Sequence, residues 1–184
     1  GSAQRTLLLA ALGRASSSPA DVTCTEAHGT GTGLGDPTEA GALVGVHGSA
    51  ARDAPLAVGA TKASVGHGES SSGQIGLLRL CRVLADSVAA GNTKLRVLNP
   101  RVLGASRGKS VAMPCQRGRV SLALDGQHGG VSSFGYSGTI AHAVLRVAVR
   151  EQTPAASLTQ LAYRRRAFHW CDMPHPLIQH RLSS

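Results

Sequence analysis

Apolar positions along the chain fall into alternating helical and strand-like periods. Leu7, Leu8, Ala11 and Leu12 share one face of a helix predicted over residues 4–15, and Ser16-Ser17-Ser18-Pro19 breaks it. Residues 21–27 read as a short strand with β-branched positions. That strand runs into the loop His28-Gly29-Thr30-Gly31-Thr32-Gly33-Leu34-Gly35. Asp36-Pro37 then opens a helix to about His47: Asp is a favoured N-cap, Pro suits the first helical position, and Glu39 stands where a capping box needs it. Residues 56–59 predict a second strand and 61–68 a second loop. The strongest helix is predicted over 70–89, ended by Gly91-Asn92. Ile75, Leu77, Leu78, Leu80, Cys81, Val83 and Leu84 make it apolar over much of its surface, so burial is expected.

Residues 93–130 contain Pro100, Pro114, several glycines and seven basic positions from Lys94 to Arg119, and read as a loop-rich excursion with short strands. Residues 131–133 and 141–149 predict two strands around the turn Gly135-Tyr136-Ser137-Gly138. Two strand–loop–helix passages followed by a hairpin predict an α/β fold, as half of a larger layered sheet. Beyond Arg150 the pattern dissolves into a polar linker, then a basic and aromatic run, Tyr163-Arg164-Arg165-Arg166-Ala167-Phe168-His169-Trp170.

Composition narrows the function classes. The 184 residues are 42% apolar and 16% charged, too apolar for general disorder, and with 3% aromatics the core must be built from Leu, Val and Ala. No apolar run of membrane-spanning length and no signal-peptide pattern occurs, so a cytoplasmic protein without a membrane role is expected. The first residue is not Met, as expected of an excised piece. The net charge of +9 is uneven: residues 1–90 carry six basic and seven acidic side chains, residues 91–184 thirteen and three. The second half therefore calls for an anionic partner. An acidic protein fits better than nucleic acid, because few aromatics are available for stacking and no nucleic-acid motif is present. Cys24, Cys81, Cys115 and Cys171 form no C-x-x-C pair, and the eight histidines show no metal-ligand spacing, so reduced thiols and no metal are expected.

Three loops hold the candidate chemistry: residues 26–37, 62–69 and 133–142. Each follows or joins strands, where α/β folds gather functional groups. The first is glycine-rich enough for a phosphate cradle, but it matches neither G-x-x-x-x-G-K-[ST] nor a convincing G-x-G-x-x-G unit. His28 and His67 stand in comparable settings. Either alone has an ordinary structural hydrogen bond as its alternative. Together, two ring N–H groups from two loops would grip one carbonyl oxygen.

These segments resemble a known family. His28-Gly-Thr-Gly-Thr followed by Gly35-Asp36-Pro37 and Glu39 resembles the first histidine motif of β-ketoacyl synthases of type I polyketide and fatty acid synthases. Lys62 followed by Gly66-His67, Glu69, Gly73 and Gly76 resembles their second, and Phe134-Gly135-Tyr136-Ser137-Gly138-Thr139 with Ala141-His142 their C-terminal glycine-rich gate. The resemblance covers residues 1–150 and implies the C-terminal half of a ketosynthase domain of a modular type I polyketide synthase. It implies a thiolase-like layered α-β-α fold, of which only that half is present, followed by a post-ketosynthase linker over 151–172. Pro174-His175-Pro176-Leu177 resembles the opening of a dehydratase domain over 173–184, in which His175 is not the catalytic histidine. With no acyltransferase between, the resemblance implies loading in trans.

The implied chemistry is decarboxylative Claisen condensation of an acyl chain with a malonyl-type extender on an acyl carrier protein, that is, acyltransferase activity in polyketide or fatty acid biosynthesis. On the family pattern His28 and His67 stabilise the enolate and Lys62 supports the His67 loop, with Glu69 as a nearby partner. Thr30 and Thr32 hold the phosphopantetheine arm, and Phe134, Gly135 and Tyr136 form the acyl gate and oxyanion site. No cofactor is bound directly; phosphopantetheine arrives on the carrier protein. The implied partners are that carrier, the missing N-terminal half and a second copy in a homodimer. The chain departs from the pattern in two ways: no cysteine sits in a nucleophile elbow, with Cys24 expected to be a core thiol, and Ile140 stands where an Asn is usual. The isolated fragment is accordingly expected to be inactive. The alternative is a relic or a scaffold and docking segment of a polyketide synthase.

Overall fold

The computed structural model describes residues 1–120 and 127–147. The expected linker over 151–172 and dehydratase-like start over 173–184 lie outside the described residues.

The described chain runs α1 (Ser2–Arg14), β1 (Val22–Glu26), α2 (Gly35–His47), β2 (Leu56–Gly59), a short α3 (Lys62–Val65), a 3-10 turn (Glu69–Ser71), α4 (Ser72–Asp86), β3 (Val88–Ala89), α5 (Pro100–Ser106), β4 (Val111–Ala112), β5 (Gly118–Arg119), β6 (His128–Phe134) and β7 (Ile140–Arg146). A five-stranded sheet has the order β4-β2-β1-β6-β7. β4, β2, β1 and β6 are parallel, and β7 returns antiparallel to β6. All five residues of β1 are buried, as a central parallel strand covered on both faces requires.

Leu8, Leu12, Leu43, Leu56 and Val58 pack α1 and α2 against one face of the sheet. Leu80, Val83 and Leu84 of α4 pack with Cys24 and Val131 on the other. The result is a helix–sheet–helix layering with β1 at its centre. A register irregularity between Val22 and Cys24 lets these neighbours on β1 serve opposite faces.

Several expectations need correction. α2 begins at Gly35 without a side-chain cap, and Glu39 forms no capping box, because its carboxylate is drawn to the His28 loop instead. α4 stops at Asp86, where Ser87 takes a left-handed conformation, and Val88–Ala89 pairs with Gly118–Arg119. Nor is α4 buried all round: Leu77, Leu78 and Cys81 are exposed on its outer side. Within the region read as loops and short strands lies α5, opened by Asn99, whose side chain accepts from the Arg101 N–H, with Pro100 at the first turn. β6 starts three residues earlier than expected. Among the described residues no helix is long and apolar enough to cross a membrane.

Candidate active site

Three loops leave the carboxyl ends of three neighbouring parallel strands. β1 ends at Glu26 and leads to His28; β2 ends at Gly59 and leads to Lys62 and His67; β6 ends at Phe134 and leads into the turn Gly135–Thr139. In open α/β sheets this edge is where ligands bind.

His28 is fixed from both sides. The buried Glu39 carboxylate accepts the backbone N–H of His28 at 2.7 Å and that of Gly29 at 2.9 Å. Gly29 has φ +47, and a Cβ there would stand 2.8 Å from the Ala60 Cβ, so no larger residue fits this crossing of the loops. The Phe134 N–H donates to His28 Nδ1 at 3.2 Å, and the two rings lie 5.2 Å apart. Because Nδ1 accepts, the neutral ring carries its proton on Nε2. Burial pushes His28 down to about pKa 4, helped by the nearby Lys62 charge and then His67, so the ring is neutral at pH 7.

His67 reaches the same tautomer locally. The Glu69 N–H donates to its Nδ1 at 2.9 Å, from a residue in a left-handed conformation at φ 45. The Glu69 carboxylate, expected as the partner, is almost fully exposed and 4.0 Å away, so the backbone bond is the one that holds the ring. The His28 and His67 rings meet edge to face with centroids 5.7 Å apart.

Lys62 is half-buried. Burial lowers its pKa, while the charges of Glu26 and Glu39 oppose that shift. Glu26 is buried at the end of β1 and accepts the Thr61 N–H, the residue before Lys62. Two buried carboxylates thus anchor one histidine loop each, with Lys62 in the field of both. Neither role was foreseen. The available signal was an acidic residue at the end of an otherwise uncharged strand, two positions before His28.

A cavity of about 570 Å³ opens beside the pair. Its lining includes the polar side chains of Thr30, Thr32, Lys62 and His67 and the apolar ones of Leu43 and Val102. The Thr32 Oγ1 accepts the Gly35 N–H at 3.1 Å, which leaves its hydroxyl hydrogen to donate. His28, Phe134, Gly135 and Tyr136 are not among the lining residues; Tyr136 stands fully in solvent. Cys24 is buried under α4 and burial raises its thiol to about pKa 11, as expected of a core thiol.

The sequence model of the β-ketoacyl synthase C-terminal domain matches residues 1–96. The chain belongs to the β-ketoacyl synthase family. It is the C-terminal part of a ketosynthase domain of the modular polyketide synthase type, with the corresponding half of the thiolase-like layered fold. It is 35% identical over 158 residues to erythronolide synthase EryA2 of Saccharopolyspora erythraea, covering 84% of this chain and 4% of that protein. It is 38% identical over 151 residues to the phenolphthiocerol synthesis polyketide synthase Pks15/1 of Mycobacterium bovis, covering 80% and 7%. Among solved structures, the oxazolomycin ketosynthase domain OzmH KS7 of Streptomyces albus JA3453 superposes with a TM-score of 0.74 at 31% identity, covering 83% of this chain and 27% of that one. Ketosynthase twelve of the bacillaene synthase of Bacillus amyloliquefaciens gives 0.71 at 27%, covering 78% and 25%. The chain therefore spans about a quarter of a solved ketosynthase and a few per cent of the curated synthases.

Proposed function

We propose that this chain supplies the decarboxylation half of a ketosynthase active site. The observation that carries the reading is the pair of facing imidazoles, each with Nδ1 occupied by a backbone N–H donor and so each with Nε2–H free to donate. A malonyl-type thioester on an acyl carrier protein places its carbonyl oxygen between them. The bond to the carboxylate breaks, carbon dioxide leaves, and the electron pair moves onto that oxygen as an enolate held by the two Nε2–H donors. The enolate carbon attacks an acyl thioester on a cysteine; the new C–C bond forms, the C–S bond breaks, and the thiolate leaves. Burial, helped by the Lys62 charge, keeps His28 from protonating, so it remains a donor through Nε2 and an acceptor at Nδ1.

The acylated cysteine is assigned to the part of the domain outside this chain, since Cys24 is buried and held as a thiol and neither Cys81 nor Cys115 lines the cavity. The carrier's phosphopantetheine arm enters along Thr30 and Thr32, where the cavity lining offers hydroxyls together with apolar side chains. Gly135 and Tyr136 belong to the acyl side of the site, and the complete enzyme acts as a homodimer in the cytoplasm. The linker over 151–172 and the dehydratase start over 173–184 complete this proposed organisation.

The deciding experiment is His67→Ala in the complete ketosynthase that carries this chain. Malonyl decarboxylation should fall by about two to three orders of magnitude while loading of the cysteine is unchanged. Equal loss of both half-reactions would make His67 a structural residue and overturn the reading.

A further inference from the structure

The end of β2 lacks a strand neighbour on one side, and a single side chain fills the gap. β1 accompanies β2 through Gly59, but β4 pairs only with Leu56 and Ala57. The chain then reaches Met113-Pro114, and Pro114 has no N–H to continue a ladder. The next two groups on that edge of β2 are the Val58 carbonyl and the Ala60 N–H. Asn92 takes both: its Nδ2 donates to Val58 O at 3.0 Å and its Oδ1 accepts from Ala60 N at 2.8 Å. The same Nδ2 donates to Pro114 O at 3.2 Å, and the Asn92 backbone N–H donates to that carbonyl at 2.7 Å. The side chain is buried and all its hydrogen-bonding groups are used. Its backbone is wedged in place, since a Cβ on Gly91 would stand 2.5 Å from the Cys115 carbonyl group.

What Asn92 holds is the hinge between the two histidine loops. Ala60 is the residue against which Gly29, next to His28, is packed. Ala60 also precedes Thr61, whose N–H goes to Glu26, and then Lys62 and the short helix leading to His67. Asn92 lines the same cavity as Lys62 and His67. We infer that Asn92 is a positioning residue: its amide stands in for a strand neighbour at the end of β2 and so fixes the spacing of the His28 and His67 loops. This deepens the proposed function and rests on the histidine pair acting as oxyanion donors.

Asn92→Ala and Asn92→Ser in the complete ketosynthase test it, with three readouts: amide hydrogen exchange at Ala60 and Thr61, malonyl decarboxylation kcat and KM, and the rate of cysteine loading. Asn92→Ala should speed exchange at both amides about tenfold or more and lower decarboxylation kcat about tenfold or more, with KM and loading within about twofold of the parent. Asn92→Ser keeps one hydroxyl able to face Ala60; it should fall between, and it carries the test should the alanine variant not fold. An unchanged kcat in a folded variant overturns the inference, and so does a parallel loss of loading and decarboxylation. Should the parent itself not decarboxylate a malonyl thioester, the functional reading fails. The exchange arm then still decides Asn92's hold on the hinge, and unchanged exchange in the variant overturns it.

Discussion

The two imidazoles share one tautomer but are held in it by opposite means. His28 receives its Nδ1 bond from Phe134, 106 positions away, and its loop is pinned by the buried Glu39. His67 receives its bond from Glu69, two positions on, in an exposed turn. The His28 donor therefore exists only when β1, α2 and β6 are assembled, whereas the His67 donor is made by one turn of backbone. The lesson is that a symmetric pair at the level of chemistry is asymmetric at the level of folding energy.

The largest effect that sharpens this contrast is expected at Glu39. Glu39→Ala leaves the His28 and Gly29 N–H groups without their carboxylate, and should lower the unfolding free energy of the intact ketosynthase by about 3 kcal/mol. Glu69→Ala removes an exposed carboxylate and keeps the backbone bond, so denaturant unfolding should shift by less than about 0.5 kcal/mol. Similar losses in the two variants would break the comparison.

Gly29→Ala comes next. It adds a Cβ 2.8 Å from that of Ala60 at a positive φ, and should cost about 2 kcal/mol by the same measurement. A neutral substitution would mean that the two loops can separate without consequence, contrary to the close crossing of Gly29 and Ala60.

A smaller, pH-dependent effect follows from the buried imidazoles. Burial lowers His28 and His142 from 6.5 to about 4, and lowers His47 as well. A depressed histidine stays neutral in the folded state while the unfolded chain takes up a proton. Stability is therefore fully present above 6.5 and declines as the pH falls towards 4. Denaturation midpoints at pH 7 and pH 5 should show this decline. His142→Asn, which keeps a hydrogen-bonding group beside the Ser132 hydroxyl, should remove about one proton from the slope. A slope unchanged in that variant would place the acid sensitivity elsewhere.

Much of the architecture could be read from the chain because its elements obey their own periods. Leu8 and Leu12 face the core as the helical spacing required, and the strand-to-loop transitions before His28 and Lys62 fall where expected. Failures came where a residue's reason lies in a distant partner. Glu39 had the spacing of a cap but serves the preceding loop. Gly129 looks like a strand breaker, yet a Cβ there would stand 2.6 Å from Leu80 Cδ1: β6 carries a glycine so that α4 can approach. Asn92 looked like a helix stop and is a ladder substitute. The Asn99-Pro100 start of α5 was legible in principle, but it is one short helix among prolines and glycines. At the site, the histidine pair was visible through its motifs, and Glu39 with them, but the parts that Glu39 and Glu26 play in holding the two loops were not.

The smallest effect concerns α4, whose two sides differ as the two loops do. Its inner side, with Leu80, Val83 and Leu84, is buried against β1 and β6. Its outer side leaves Leu78 at 70% exposure beside Leu77 and Cys81. An apolar stripe of this kind on a chain that spans a quarter of a solved ketosynthase is expected to be covered by the rest of that domain. Cys81 reports on it without any substitution. In the intact, folded ketosynthase its alkylation by iodoacetamide should be at least about tenfold slower than in the same protein unfolded in urea, as should that of the buried Cys24. Cys24 protected and Cys81 reacting at the unfolded rate would show that the outer side of α4 stays open to solvent in the complete enzyme. Its leucines would then need another reason.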